Sequence, residues 1–349
     1  MHNGRVREPS GEGPSEAAGQ ARQATRRDAS QGALGAAHEP PPPPPVRRAL
    51  APRLDLLAAA ALFSTGGAAI KAVHVSGWPV ACLRSAIAAA ALLLVLPEVR
   101  RRPTWRMLGV AACYAVTMIL FVLANKLTTA ASTIFLQSTA PLFVLLLSPW
   151  LLGERIRRGD LLSMAAIALG LVLLVAGLEP ASATAPDPLR GNLLAALAGF
   201  TWALTIMGLR DLGRGGESAA TPPRNDPIVA AFWGNMLAAG AALPLSLPMP
   251  AGRATDWLVL GFLGLFQIAF AYVLLSRGIG GVPAFEASLL LMLEPVLNPL
   301  WAWLVHGERA GPRVLAGGAL ILTATLLNSW HDARLAARDR AGGGASPLT

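Results

Sequence analysis

The chain has 349 residues, of which 54% are hydrophobic and only 14% are charged, and its formal net charge is +9. Soluble globular proteins carry about 25% charged residues; here the charges fall in short runs between apolar stretches of about 20 residues, the length that crosses the hydrocarbon core of a bilayer. The composition excludes an ordinary soluble domain and indicates a polytopic membrane protein.

Residues 1–50 differ from the rest of the chain because they are polar and end in six consecutive prolines, Pro40 to Pro45. A segment of this composition cannot bury enough apolar surface to fold on its own. We therefore predict a disordered N-terminal tail in the cytoplasm.

Ten apolar spans follow from Leu54 onward, separated by turn residues such as Ser76-Gly77-Trp78-Pro79 and Gly311-Pro312. Because every backbone amide in lipid must be bonded within its own segment, we predict that each span is a helix and that the protein is all-α. The predicted spans are residues 54–73, 80–97, 107–124, 130–151, 161–178, 189–208, 228–247, 257–276, 283–305 and 313–329.

The distribution of Lys and Arg predicts the orientation of these spans. If each span crosses once and the N-terminus is cytoplasmic, 22 Lys and Arg residues lie inside and five lie outside. Cytoplasmic loops carry the excess of positive charge in membrane proteins. We therefore expect both termini in the cytoplasm, and we interpret the arginine excess as a topology signal and expect no nucleic-acid partner.

One five-span unit occurs twice along the chain. Pro141 and Pro295 are separated by 154 residues, and the turns Gly153-Glu154-Arg155 and Gly307-Glu308-Arg309 have the same offset. Because five is odd, the second copy must enter the membrane upside down. The sequence thus predicts inverted repeats, an arrangement typical of secondary transporters with a substrate site near the midplane. The predicted domains are the tail 1–50, the repeats 54–178 and 189–329, and a cytoplasmic C-terminal tail, 330–349.

The ordered set of motifs resembles the EamA-type transporters of the drug/metabolite transporter superfamily. The motifs are the Gly-Gly-Ala-Ala-Ile-Lys71 run in the first span, Arg84 in the second, a Glu-Pro pair at Glu294 in the ninth, and the paired Gly-Glu-Arg turns. The resemblance covers residues 54–329 and implies ATP-independent export or exchange of small metabolites or drugs across the bacterial inner membrane. Many members also have Glu-Pro in the fourth span, whereas this chain has Ala140, so a symmetric pair of acids is absent.

Glu294 is the leading candidate for the substrate site. It is the twelfth residue of its 23-residue predicted span, about 17 Å along the helix at 1.5 Å per residue, and Asn298 shares its helix face. We hypothesise that this face lines a cavity in which Glu294 binds a cationic group or exchanges a proton. The alternative is a structural acid that is hydrogen-bonded to a neighbouring helix.

Two basic residues also lie within the predicted spans. Lys71 and Arg84 are placed toward the outer ends of spans one and two. Lys71 either extends to the lipid headgroups or contacts substrate. Arg84 is predicted to pair with Glu294 or with a substrate carboxylate.

Five further polar or amphipathic residues at mid-helix depth are candidates for the same cavity. Such residues also serve as helix–helix contacts in bilayers, so that alternative stays open for each. These candidates are Gln137, Trp202, Asn235, Gln267 and Tyr272.

The leading functional hypothesis is a secondary active transporter that exports a small metabolite, amino acid or drug. One alternative is a sugar-phosphate or nucleotide-sugar exchanger of the same superfamily, which would need several basic residues in its cavity. Another is a membrane-embedded lipid-modifying enzyme, which would need clustered acids or histidines. We expect no enzymatic activity, no cofactor and no metal; the partners are a small-molecule substrate and the bilayer, with proton coupling as a hypothesis, and the chain is a monomer or a homodimer.

Overall fold

The fold was determined as a computed structural model, and the regular structure of its described residues is helical apart from one antiparallel bridge between Ser182 and Ala185. The Gly153-Glu154-Arg155 turn and residues 1–45 of the predicted N-terminal tail lie outside the described part of the chain. The structure describes residues 46–151, 158–177, 180–214, 226–279 and 281–342.

The first half of the described chain begins with a helix that breaks at Thr65 and then continues. A short 3₁₀ turn, Pro97–Arg100, follows the third helix. The helices of this half are α1 (Val46–Ser64), α2 (Gly66–Ala72), α3 (Gly77–Val95), α4 (Trp105–Leu127), α5 (Ala130–Gln137), α6 (Ala140–Leu151) and α7 (Arg158–Ala176).

The second half includes one span of changing helical pitch, in which a π-helix, Leu263–Phe270, connects two α-helices. A π-helical stretch of this kind often marks a functional part of a helix. The helices of this half are α8 (Pro188–Arg214), α9 (Asp226–Ser246), α10 (Ala254–Phe262), α11 (Ala271–Ile279), α12 (Ala284–Leu291), α13 (Leu293–His306) and α14 (Pro312–Gly342).

Nine helical stretches within the described residues are long and apolar enough to cross a membrane. The predicted fifth span corresponds to α7, whose apolar part, Asp160–Ala176, is shorter than the other nine. The prediction of an all-helical, multi-pass membrane protein is therefore confirmed, whereas the tenth crossing depends on α7.

The first and last helices extend beyond the predicted spans. α1 begins at Val46, within the segment predicted as a disordered tail, and α14 continues to Gly342, through residues predicted as the C-terminal tail. Hydropathy marks only the part of a helix that lies in lipid, and a helix can continue into polar sequence until a breaking residue. The apolar pattern therefore underestimated both helices.

Proline breaks two helices at equivalent positions in the two halves. α5 ends at Gln137 and α12 ends at Leu291, and the next helices contain Pro141 and Pro295 near their beginnings. Proline has no N–H to donate to the carbonyl four residues earlier, which is that of Gln137 or Leu291. In addition, α12 and α14 begin 154 residues after α5 and α7, so the last part of each half has matching helix starts.

Helices from the two halves pack against each other in pairs. α3 lies against α9, α7 lies against α14, and α13 lies against both α2 and α5. The α7–α14 contact is very close, because a methyl group added to Gly317 would lie 2.8 Å from the carbonyl oxygen of Gly170, and the reverse addition gives the same distance. Small residues permit this approach of helix backbones in membranes.

Ion pairs between charged side chains occur at both ends of the helices. At the end where α1 begins, Arg53 pairs with Glu286 at the start of α12, and Arg106 at the start of α4 pairs with Asp211 near the end of α8. The opposite end, where α2 finishes, contains Lys71 and is called the Lys71 end below. These pairings are those expected if successive spans alternate in direction.

The close α7–α14 contact predicts the effect of a single methyl group. In Gly317→Ala the new methyl would meet the backbone of Gly170, which cannot rotate away as a side chain can, so we expect the free energy of unfolding to fall by about 1–3 kcal/mol. Gly240→Ala is the matched control, because an added methyl there has nothing within 4 Å and removes a glycine from a helix. The melting temperature in detergent should fall below that of the native chain for Gly317→Ala and should not fall for Gly240→Ala. If Gly317→Ala melts at the native temperature, the close α7–α14 packing is contradicted.

Candidate functional site

Arg84 in α3 is a buried cation that has no acidic partner within the described part of the chain. Its residue is 1% exposed, and its Nη2 atom donates to the sulfur of Met118 in α4 at 3.3 Å. Neither Nε nor Nη1 has a hydrogen-bond partner among the described residues. A thioether is a weak acceptor, so the guanidinium retains most of its capacity to bind an anion, and its burial shows that it does not extend to the headgroups.

The only two tyrosines of the chain form a pair between its two halves. The ring centroids of Tyr114 in α4 and Tyr272 in α11 are 5.9 Å apart in an edge arrangement. The guanidinium of Arg84 interacts electrostatically with both tyrosine side chains. Arg84 therefore lies within electrostatic range of a pair of tyrosines contributed by both halves of the chain.

Two further predicted residues surround Tyr114. Asn235 in α9 donates from Nδ2 to the Tyr114 hydroxyl at 3.3 Å and to the carbonyl of Ala231 at 2.8 Å. The ring of Trp202 in α8 lies 6.4 Å from that of Tyr114, centroid to centroid. Gly234 makes room for the tyrosine, since a methyl group there would lie 2.3 Å from its Cδ1 atom.

Glu294 is coupled to one of the two tyrosines. It is the second residue of α13, directly after the break at Met292, and it interacts electrostatically with Tyr272. Its side chain is partly exposed and has no hydrogen bond or ion pair to another described residue. Arg84 and Glu294 thus interact with the same tyrosine but do not form the predicted ion pair with each other. These two residues, with Tyr114, Tyr272, Asn235 and Trp202, are called the central cluster below.

Gln267 and Asn298 lie against the two glycines that begin α2. A methyl group on Gly66 would be 2.8 Å from Nε2 of Gln267, and one on Gly67 would be 2.5 Å from Oδ1 of Asn298. Both amide side chains are buried, and Oε1 of Gln267 and both polar atoms of Asn298 have no partner among the described residues. Asn298 therefore packs between α2 and α5, although it is one turn from Glu294 on α13.

Gln137 occupies the corresponding break in the first half. It is the last residue of α5 and is partly exposed. Gly199 in α8 approaches its carbonyl, since a methyl group at that glycine would lie 3.2 Å from the Gln137 oxygen. No described contact brings Gln137 to the tyrosine pair, so its role in substrate binding stays a prediction.

Lys71 is separate from the central cluster. Its ammonium forms an ion pair with Glu308 at 3.1 Å and donates to the carbonyls of Thr128 at 2.7 Å and Thr184 at 2.5 Å. A lysine ammonium has three N–H donors, and the two carbonyls accept two of them while the Glu308 carboxylate neutralises the charge. The geometry therefore holds Lys71 in contacts with the protein itself, and its buried side chain does not extend to the headgroups.

Two residues of this geometry were not singled out by the sequence. Tyr114 is at the centre of the cluster. The sequence could have indicated it, because it is one of only two tyrosines and lies in the middle of an apolar span. Glu308 was interpreted only as part of a structural turn. The turn is present, with Gly307 at a positive φ of 65°, but the Glu308 side chain is directed inward to Lys71.

Comparison with known proteins identifies the chain's relatives. The model of the EamA-like transporter family matches twice, over residues 54–176 and 189–330. An uncharacterized transporter from Archaeoglobus fulgidus is 29% identical over 243 residues, which cover 69% of this chain and 83% of that protein. A solved crystal structure is similar with a TM-score of 0.52 and 19% identity, over 78% of this chain and 95% of that one; at this identity the similarity shows the fold alone. The resemblance found in the sequence is confirmed, and the chain belongs to the EamA-like transporter family.

Proposed function

We propose that the protein is a secondary active transporter that exports a small metabolite, amino acid or drug across the bacterial inner membrane. The observation that carries this proposal is that Arg84 is buried with two unpartnered donor atoms and does not pair with Glu294, although both charges interact electrostatically with Tyr272. A charge in the middle of a bilayer costs about 2.5–3.5 kcal/mol. Two unpaired charges in a transporter family indicate a site that a charged ligand completes.

The chemistry of the central cluster favours a small substrate with both an anionic and a cationic group. The unpartnered Nε and Nη1 atoms of Arg84 suit the two oxygens of a carboxylate, and Glu294 suits an amine. The rings of Trp202 and Tyr272, both partly exposed, offer an apolar surface for the rest of the molecule. A phosphate-rich substrate is less well supported, because Lys71 is already paired with Glu308.

Alternating access between two inverted repeats is the proposed mechanism. In this arrangement ten helices cross the membrane and both termini are cytoplasmic, as the 22 to five distribution of Lys and Arg favours. The breaks before Pro141 and Pro295 are the proposed hinges, because broken helices at the midplane often form transporter sites and moving elements. The equal offset of the breaks supports their equivalent use in the two halves.

Proton coupling through Glu294 is part of the same proposal. The carboxylate is close to the substrate-binding tyrosines and has no fixed cation among the described side chains, so nothing in this part of the fold holds it in one protonation state. A proton and a substrate amine can therefore compete for it, which links the movement of one to the movement of the other.

The first functional prediction concerns Glu294→Gln. In proteoliposomes with an imposed pH gradient, the native chain should accelerate the movement of at least one of three probes: labelled leucine, tetraphenylphosphonium or benzoate. If leucine is transported, we expect Glu294→Gln to reduce its rate by about tenfold or more, since the leucine amine loses a charged hydrogen bond worth about 1.5–3 kcal/mol. For any transported probe, we expect this variant to lose the dependence of the rate on the pH gradient. Glu286→Gln is the control, because this acid lies in the same span but pairs with Arg53 at the end.

The outcomes of this experiment separate the components of the proposal. Equal movement of all three probes with and without the native protein would argue against transport of these classes. Normal transport by Glu294→Gln between about pH 5 and 8 would show that the acid is structural and would refute proton coupling. Equal losses in Glu294→Gln and Glu286→Gln would indicate a general effect on stability.

The second functional prediction concerns Arg84. In Arg84→Lys the positive charge stays, but the planar pair of donors is lost, so we expect the KM for a carboxylate-bearing substrate to rise about tenfold, as for one lost charged hydrogen bond. Arg106→Lys is the control, because Arg106 forms an exposed pair with Asp211 at one end of the helices. An unchanged KM in Arg84→Lys would contradict carboxylate recognition by this residue.

A further inference from the structure

The Lys71 end is closed by a buried ion pair that joins the two halves of the chain. Lys71 at the end of α2 and Glu308 after α13 are 3.1 Å apart, and their side chains are only 4% and 3% exposed. The second carboxylate oxygen of Glu308 accepts the backbone N–H of Ala130, the first residue of α5, at 2.6 Å. Glu308 therefore connects α13 to two helices of the first half.

Two backbone segments complete this contact. The ammonium of Lys71 also donates to the carbonyl of Thr128, between α4 and α5, and to that of Thr184, in the connection between the two halves. The Lys71 contact, defined here as Lys71, Glu308, Ala130, Thr128 and Thr184, thus brings together four separate parts of the chain at one end of the helices.

A second contact joins the halves at the same end. The backbone N–H of His74 donates to Oδ1 of Asp256 at 2.9 Å, and the His74 Nδ1 atom is 3.0 Å from the same oxygen. The other oxygen of Asp256 accepts the backbone N–H of Arg253 at 2.9 Å, next to the start of α10. The chain around Val73 is therefore bound to the second half twice, through Lys71 before it and through His74 after it.

A buried ion pair suits a contact that opens and closes better than a contact that stabilises the fold permanently. The cost of removing two charges from water offsets most of their attraction, so an intact buried pair adds little net stability. When the two halves separate, water can reach both charges and replace the contact. The two charges are therefore stable in two arrangements, either paired without water or separated and hydrated. A partial separation has a high free energy, because the charges are then neither paired nor hydrated.

α13 connects this closure to the central cluster. It begins beside Glu294 and ends at His306, immediately before the Gly307 turn that presents Glu308. Its 14 residues form one continuous helix about 21 Å long, with Pro299 inside it. A tilt of α13 about the break before Pro295 would therefore move Glu308 away from Lys71.

We propose that the Lys71–Glu308 ion pair is the latch that closes the central cluster at the Lys71 end, and that it opens when α13 tilts. The orientation proposed above places this end on the outer side of the membrane. This role goes beyond the proposed transport function, because Lys71 and Glu308 do not contact the substrate in it. The latch would act in the same way for any substrate.

The test measures water access behind the latch and needs no substrate. Ser132 lies in the first turn of α5, is buried, and is close to the Ala130 contact, so Ser132→Cys provides a thiol behind the closure. The background carries Cys113→Ala and keeps Cys82, which is buried between α3 and α9, with Sγ 3.4 Å from the carbonyl of Ala239. The protein is placed in lipid nanodiscs and labelled with a charged, membrane-impermeant maleimide.

Either change that removes the ion pair should open the latch. We expect Lys71→Met and Glu308→Gln each to accelerate labelling of Ser132→Cys by about tenfold or more, because each leaves the remaining buried charge without its partner. The double variant should be labelled no faster than the faster single variant, since both changes remove one shared contact. Glu286→Gln, which breaks the ion pair at the opposite end, is the matched control and should leave labelling at the native rate.

Cys82 distinguishes opening from unfolding. If Cys82 becomes labelled together with Ser132→Cys, the ion pair holds the whole fold together, and the latch is wrong. A native labelling rate at Ser132→Cys in both single variants also overturns the proposal. Because labelling does not depend on a transported molecule, neither result is affected by the outcome of the transport assay.

Discussion

The cost of an unpaired charge in a low-dielectric interior is the constraint on which this architecture depends. Charges at the ends of the helices satisfy it by pairing: Arg53 with Glu286, and Lys71 with Glu308. Arg84 and Glu294 do not satisfy it, since each interacts electrostatically with Tyr272 and neither has an ionic partner among the described residues. Charges are thus paired at the ends of the helices and unpaired at Arg84 and Glu294, and these unpaired charges are the basis of the proposed substrate site.

A repeated scaffold here carries side chains that are not repeated. The two halves share the ends of α5 and α12 and the proline breaks that follow them, which are properties of the backbone. Their polar groups differ: the second half has Glu294 where the first has Ala140, and the first supplies Arg84. A repeated backbone allows two equivalent hinges, whereas a substrate with two chemically different ends needs different side chains from the two halves. Duplication of one unit, followed by divergence of the residues that line the site, would give one chain both the equivalent hinges and the asymmetric site.

The sequence predicted the backbone better than the site. Apolar runs, turn residues and the 154-residue offset act locally along the chain, so they indicated the helices and both proline breaks. Contacts between helices depend on how each helix is rotated about its axis, and hydropathy does not report that rotation. Asn298 was therefore expected beside Glu294 but packs on Gly67, and Tyr114 was missed. Arg84, Asn235 and Tyr272 were selected because charged and polar groups within apolar spans are rare, and their roles in binding stay predictions.

The bond from Lys71 to the carbonyl of Thr184 has a consequence for the connection between the two halves. Because this acceptor is a backbone atom, the position of the connecting chain matters and the identity of the side chain at residue 184 does not. Shortening the connection would leave an ammonium donor unsatisfied where water does not reach, whereas substitutions along it would be tolerated. Selection should thus preserve the length of this connection while its sequence drifts, so the segment is a fixed structural component and not a passive tether.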